Sequence, residues 1–228
     1  MKFLAKALFP LLVIFLAACG PKQDADTPVY REIADLYGKK VAATTGSSQE
    51  SILAARHPQI EILRFDTDAD LLNALLAGKC DAMAVDQHIF KYFSQITEGA
   101  VELQEPMFSV GIGFCFGKGD NVELREQFNA FLRQIKADGT YDQIVDRWIN
   151  NAHTSIMPDI PLPEDGEPIR IATNSSAPPL VFMKEGELVG FDIEIAKRFA
   201  ASIGRRVVFS DMNFTALIPS LVSRTQDI

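Results

Sequence analysis

The stretch of sequence that decides the fold class is KKVAATTGSSQESILAAR, residues 39–56. Its first six residues predict a short β-strand, because an apolar run ends there at a glycine-containing turn. The turn, Gly46-Ser47-Ser48, predicts the start of a helix that continues to Arg56 and stops near Pro58. A strand that leads through a tight turn into a helix indicates an α/β protein.

The same alternation continues along the chain. Apolar positions two apart predict strands, and apolar positions on one helical face, such as Leu71, Leu72 and Leu75, predict helices. After residue 56 the predicted strands are 60–65, 82–85, 110–116, 169–173 and 206–210, and the predicted helices are 68–77, 87–97, 122–137, 141–149, 190–203 and 214–223. At residues 226–228 the pattern calls for another strand. Strands that alternate with helices indicate largely parallel sheets.

The first nineteen residues have the pattern of a targeting segment. Lys2 and Lys6 precede an apolar run, residues 7–18, which is too short to span a bilayer comfortably and closes on Leu-Ala-Ala before Cys19. This ending resembles the bacterial lipoprotein box, which implies that Cys19 is lipidated; the alternative is an ordinary signal peptide with an incidental cysteine. Residues 20–34, polar and proline-containing at their start, then predict a flexible spacer.

The composition and the motifs argue against several classes of function. A formal net charge of −8 argues against nucleic acid and against an electrostatic membrane patch, and no second apolar run is long enough to cross a bilayer. The three histidines have no metal-ligand spacing, and there is no dinucleotide loop, phosphate loop or nucleophile elbow, so we expect no cofactor, metal or catalytic residue. Cys80 and Cys115 either form a disulfide or remain two separate thiols.

Two parts of the chain together resemble the polar amino-acid-binding proteins of periplasmic solute-binding protein family 3. The later part carries IRIATN (169–174), APPLVF (177–182), LVGFDIEI (188–195) and FTALIPSL (214–221), which are similar to the start of such a domain. The earlier part carries DLYGKKV (35–41), GSS (46–48), DAMAVD (81–86) and KADGTYD (136–142), which are similar to its end. The resemblance implies an α/β, two-lobed periplasmic-binding-protein-like (type II) fold, each lobe a mostly parallel sheet flanked by helices, with lobe one incomplete.

The order of these parts divides the chain after the spacer into four segments. Residues 35–116 resemble the second lobe and residues 117–149 the C-terminal helices of the domain. Residues 150–168 contain four prolines and predict a linker. Residues 169–228 resemble a truncated first lobe. The chain is then part of a tandem protein, a circular permutant or a degraded gene product, and we expect its last segment to dock on residues 117–149.

The resemblance also suggests ligand-binding residues in the earlier part. The hydroxyls of Ser47 and Ser48 and the free N–H groups of their turn suit a ligand carboxylate at a helix start, although a plain helix cap explains the same residues. Asp86 follows a buried strand, and in the family an aspartate there holds the ligand ammonium; the alternative is a cap for the next helix. Thr44 and Thr45 are secondary candidates at the end of their strand.

The later part offers weaker candidates. Asn174 stands where the family usually has an acidic residue, and Ala177 where it usually has an aromatic one. Phe214 matches an aromatic wall position in some members, or is an ordinary core residue. Asp192 is interpreted as a structural residue at a helix start. The family's segment with a carboxylate-binding arginine has no match, and Arg170, Arg205 and Arg206 do not stand in its place.

The sequence therefore predicts a lipid-anchored binding protein for a small polar solute, most simply an amino acid, on the extracytoplasmic face of the cell envelope. Its partners would be the solute, the permease of an ABC transporter and, through the N-terminal lipid, a membrane. We expect no enzyme activity. The alternatives are an extracytoplasmic sensor module, or part of a longer protein with cell-wall lytic or dehydratase activity on the same fold.

Overall fold

The structure is a computed structural model, and it describes residues 30–103, 106–109 and 111–228. The predicted signal peptide, Cys19 and residues 20–29 of the predicted spacer lie outside the described residues. Within the described residues, no helix combines the length and apolar character that crossing a membrane requires.

Apart from residues 111–116 and 176–189, strands and helices alternate in the order that the sequence predicts. The strands are β1 (Lys40–Thr44), β2 (Glu61–Phe65), β3 (Ala82–Ala84), β4 (Pro168–Thr173), β5 (Ser176–Ala177), β6 (Val181–Lys184), β7 (Glu187–Val189) and β8 (Arg206–Asp211). The α-helices are α1 (Ser48–Arg56), α2 (Asp68–Leu76), α3 (Gln87–Ser94), α4 (Val122–Ala137), α5 (Thr140–Val145), α6 (Phe191–Ser202) and α7 (Phe214–Val222). A 3-10 helix spans Ile33–Leu36, and a π-helical segment, Asp146–Asn150, continues α5.

Two sequence predictions of secondary structure are wrong in kind. Residues 111–116 were predicted as part of a strand, but they form none. Their apolar side chains serve the helical core instead: Phe114 and Phe116 pack on Phe128, with ring centroids 4.7 and 5.7 Å away. The glycines within this stretch also disfavour a strand. The helix predicted at 141–149 changes from α to π geometry at residue 146.

The sheets belong to two units of the chain. In the N-terminal unit (residues 30–97), β2, β1 and β3 form a parallel sheet in that order, and in the C-terminal unit (residues 122–228), β4 pairs in parallel with β8. The C-terminal unit also holds a small antiparallel sheet, β5-β6-β7, that the sequence did not predict. The chain is thus α/β, with parallel sheets flanked by helices, as predicted.

The largest core joins residues on both sides of the proline-containing linker. Phe128 of α4 and Phe199 of α6 lie edge to face with centroids 4.9 Å apart, and Trp148 and Ile228 are buried in the same cluster. The last segment therefore docks on the helices of 122–150, as expected. The N–H groups of Asp227 and Ile228 donate to the Arg170 carbonyl, so the chain extends the β4 edge where another strand was predicted.

Candidate functional site

The candidate residues of the N-terminal unit lie along one edge of its parallel sheet. Thr44 ends the central strand β1, Ser47 and Ser48 begin the helix that follows it, and Asp86 follows the neighbouring strand β3. In open α/β sheets, ligands bind outside the carboxyl ends of the strands. The structure therefore brings these four residues to the edge where a ligand is expected.

The turn before α1 uses some of the N–H groups predicted to be free. Ser47 caps the helix, since its Oγ accepts from the Glu50 N–H at 3.1 Å. The Gly46 N–H donates to Oε2 of Glu50 at 2.7 Å, and Oε1 of the same carboxylate accepts from Arg64 at 2.6 Å. These bonds hold the pKa of Glu50 below its usual range. Among the described residues, the N–H groups of Ser48 and Gln49 have no acceptor.

Asp86 stands at the N-cap position of α3, but its side chain does not cap the helix. Its Oδ1 instead accepts a hydrogen bond from Nε2 of Gln49 at 2.8 Å, and Oε1 of the same Gln49 side chain accepts from the Ser48 hydroxyl at 3.2 Å. Gln49 is 8% exposed, so it forms a buried bridge between the α1 turn and Asp86. The sequence analysis did not identify this bridging residue; its place one residue after Ser48 was the available signal.

The hydroxyls of the two threonines donate to different acceptors. Thr45 donates both its N–H and its hydroxyl to the Phe65 carbonyl, which ties it to strand β2. The Thr44 hydroxyl donates to Oδ1 of Asp68 at 2.9 Å. Burial raises the pKa of the Asp68 carboxyl, and the nearby charge of Asp86 raises it further. Asp68 was not among the predicted site residues, although it follows β2 just as Asp86 follows β3.

In the C-terminal unit, Asn174 and Phe214 play different structural roles. The Asn174 amide donates to the Met212 carbonyl at 2.9 Å and accepts from the Ser176 N–H at 3.1 Å, so it joins the ends of β4 and β8. Phe214 begins α7 and is 44% exposed, which does not agree with the alternative that it is an ordinary core residue. An exposed ring next to a strand end is available for contact with a ligand.

Elements that carry candidate residues in the two units lie against each other. Helix α2, which begins at Asp68, lies against β5, which contains Ala177. A Cβ atom added to Gly46 would lie 3.3 Å from the methyl group of Thr215, directly after Phe214. The glycine turn and the start of α7 are therefore in close contact across the two units.

The structure also describes the two remaining cysteines and the possible metal ligands. Cys80 is buried and Cys115 is exposed, and neither is in a disulfide, so the separate-thiol alternative describes the structure. Over residues 30–103, 106–109 and 111–228, no group of three or more histidine, cysteine or acidic side chains is placed to hold a metal ion.

Asp192 gives a pH-dependent prediction. Burial at the start of α6 raises the pKa of its carboxyl to about 7. The folded state then binds the proton of Asp192 more tightly than the unfolded chain does. The protonated side chain therefore contributes its full share to the free energy of unfolding below about pH 4, and this contribution is lost as the pH rises through about 7. We expect Asp192→Asn to be more stable than the wild type at pH 8 by up to about 4 kcal/mol, and to match it at pH 4. Urea unfolding at pH 4, 6 and 8 tests this, and a difference that is constant with pH would contradict it.

Comparison with known proteins identifies the family. The profile of "Bacterial extracellular solute-binding proteins, family 3" matches residues 33–151 and 169–228. The matched residues cover well over half of the chain, and the chain belongs to this family. The two matched ranges flank the segment that the sequence predicts as a linker.

Several relatives have curated names. The chain is 30% identical over 129 residues to ABC transporter arginine-binding protein 1 of Escherichia coli K12, covering 54% of this chain and 53% of that protein. It is 30% identical over 112 residues to the ABC transporter glutamine-binding protein GlnH of Bacillus subtilis 168, with 49% and 41% covered. The histidine-binding periplasmic protein of Salmonella typhimurium LT2 is 30% identical over 131 residues, with 52% and 49% covered. The chain spans about half the length of the curated relatives it matches.

Two solved structures also match parts of the chain. The solute receptor for L-cysteine of Neisseria gonorrhoeae matches with a TM-score of 0.29 and 21% identity, covering 32% of this chain and 29% of that one. An ancestral cyclohexadienyl dehydratase matches with a TM-score of 0.33 and 24% identity, covering 57% of this chain and 54% of that one.

Proposed function

We propose that this chain acts as an extracytoplasmic binding protein for an amino acid and delivers it to an ABC transporter. The observation that carries the proposal is the family match, because it includes both the Ser47-Ser48 turn and the later segment with Phe214. The names of the arginine-, glutamine- and histidine-binding relatives support an amino acid as the ligand. Membership in a family of solute-binding proteins supports a role in binding rather than in catalysis.

The proposed architecture has two lobes. Residues 35–116 form the second lobe, and residues 117–149 and 169–228 form the first lobe on either side of the 150–168 linker. The shared core of α4 and α6 supports this division. Lipidation of Cys19, proposed from the Leu-Ala-Ala-Cys sequence, would hold the protein on the outer face of a membrane in the cell envelope. The transporter permease would then be its membrane partner.

The site suits the two ends of an amino acid. The unbonded N–H groups of Ser48 and Gln49 stand at a helix N-terminus, where the helix dipole favours a carboxylate. Asp86 has one carboxylate oxygen bonded to Gln49, which leaves the other oxygen for an ammonium group. The Gln49 bridge links the two subsites, so it positions them relative to each other.

The experiment is binding of amino acids to the wild type and to Asp86→Asn, measured by calorimetry and thermal shift. The asparagine keeps a carbonyl oxygen for Gln49 but removes the charge, so we expect affinity to fall by about 2 kcal/mol or more, roughly thirtyfold. A ligand at one hundred times its Kd should stabilise the wild type by about 2.7 kcal/mol.

Glu61→Ala is the matched control. Glu61 is an exposed acid at the start of β2, at the opposite edge of the same sheet. This variant should bind as the wild type does. Equal affinity of the wild type and Asp86→Asn would exclude Asp86 from the site, and failure of every amino acid to bind would reject the proposed function.

A further inference from the structure

Helix α3 runs from the candidate site to the C-terminal unit. Asp86 stands at its N-cap position, and near its other end Nζ of Lys91 donates to Oδ1 of Asn150 at 2.6 Å. Tyr92 lies about 9 Å from Asp86 along the helix axis. Because a helix moves as a rigid element, the place where its C-terminal end is held also sets the position of Asp86.

The C-terminal end of α3 is held by a ring stack and a hydrogen bond. The rings of Tyr92 and His153 stack with centroids 4.2 Å apart and planes inclined by 27°. Nε2 of His153 lies 3.1 Å from the Tyr92 carbonyl oxygen. A carbonyl oxygen can only accept, so Nε2 carries the hydrogen and donates it. The acceptor lies in the last turns of the helix, where the dipole is negative and favours a donor.

The ring of Tyr92 belongs to the packing of both units. It packs on the cluster of Leu72, Ile89 and Phe93 in the N-terminal unit. It also packs on the large core of the C-terminal unit, where the ring centroid of Phe182 is 5.8 Å away. Closely packed interiors resist displacement, so a ring shared by two cores restrains both.

The turn that carries His153 is fixed to the C-terminal unit from its other side. Nζ of Lys184, on β6, donates to the carbonyl oxygens of Ala152, His153 and Ser155 at 3.4, 3.0 and 2.6 Å. An ammonium group has three donors and no acceptor, which suits a set of three carbonyls. The backbone of His153 is thus held by β6 while its side chain holds α3.

We infer that His153 is a positioning residue for ligand binding, because the Tyr92–His153 contact fixes Asp86 relative to the C-terminal unit. The effect on the ligand rests on the proposed function, whereas the effect on the two units does not. With this contact formed, the Gly46 turn also lies close to Thr215 of the C-terminal unit. Loss of the contact lets the two units take other arrangements, and affinity falls in proportion to the population that can still bind.

The test replaces His153 by alanine in the full chain and measures distances between the units by double electron–electron resonance. Spin labels are attached at Ala55→Cys on α1 and Gln127→Cys on α4, two exposed positions, with Cys115→Ser to remove an exposed thiol. Without ligand, we expect a broader distribution of distances than in labelled protein that keeps His153. Calorimetry should show amino-acid affinity about tenfold lower, since a ring contact and a hydrogen bond are lost.

His57→Ala is the matched control. His57 also lies beside a tyrosine, with its ring centroid 6.1 Å from that of Tyr37 and its Nδ1 3.4 Å from the Tyr37 hydroxyl, but both residues belong to the N-terminal unit. This variant should change neither the distances nor the affinity. His153→Phe keeps a ring on Tyr92 and removes only the N–H donor, so its effects should be smaller than those of His153→Ala. Thermal unfolding checks that each variant is folded.

The outcomes separate this inference from the proposed function. Unchanged distances in both His153 variants would overturn the inference whatever the affinities are. Changed distances with unchanged affinity would also overturn it, because the contact would then not position Asp86. If no amino acid binds the wild type, the proposed function fails, and broadened distances in His153→Ala would still support the role of the contact between the units.

Discussion

Replacing Glu194 by alanine is expected to lower the free energy of unfolding by about 3–5 kcal/mol. Its side chain is 0% exposed, and both carboxylate oxygens accept from Nη1 of Arg147 at 2.8 and 2.9 Å. Trp148 Nε1 donates at 2.7 Å and Arg198 Nε at 2.8 Å. Removing the carboxylate leaves two guanidinium groups and a buried indole N–H without their acceptor, which is why the cost is large.

The control for this prediction is Glu126→Ala. Glu126 pairs with Arg125 at 3.0 Å on the outer face of α4, where the two side chains are 61% and 46% exposed. Solvent-exposed pairs of this kind contribute about 0–1 kcal/mol. Chemical denaturation of both variants at neutral pH measures the difference. Similar losses from Glu194→Ala and Glu126→Ala would mean that the carboxylate network does not hold α6 against the residues of 146–150.

The sequence predicted best those helices whose pattern is local. The bounds of α1 and α4 agree with the prediction, because a serine before α1 and a long stripe of apolar residues along α4 are visible without any tertiary contact. The β5-β6-β7 sheet was not predicted, because strands of two to four residues are too short to show a period. Its one signal is the Glu185-Gly186 turn, in which both residues have positive φ.

The site residues, too, could be predicted only where the signal lies in the local sequence. The position of Asp86 after a buried strand could be predicted, because every parallel strand ends at the same edge. Two features could not be predicted from neighbouring residues: the Gln49 bridge and the pairing of Thr44 with Asp68. Each depends on a contact with a residue that lies on another element or points inward only after folding.

The second large effect is expected at Gly190, where alanine should lower the free energy of unfolding by more than about 4 kcal/mol. Gly190 precedes α6 with φ +129° and ψ 178°, a conformation that is essentially restricted to glycine. An added Cβ would also lie 2.2 Å from the Leu180 carbonyl oxygen and 2.6 Å from its carbon. That carbonyl accepts from the Asp192 N–H at 3.0 Å, so it cannot retreat without breaking the bond that holds the start of α6.

Gly186→Ala separates the two causes of this loss. Gly186 also has a positive φ, +86°, but nothing lies within 4 Å of an added Cβ. We therefore expect only the conformational cost of about 1 kcal/mol at Gly186, and the remainder at Gly190 must come from the close approach of the Leu180 backbone. Equal losses in the two variants, measured by urea unfolding, would show that the segment before α6 can move away. The strong restraint on α6 matters because this helix carries Phe199 and Glu194, which together attach the last segment of the chain to the helices that precede the linker.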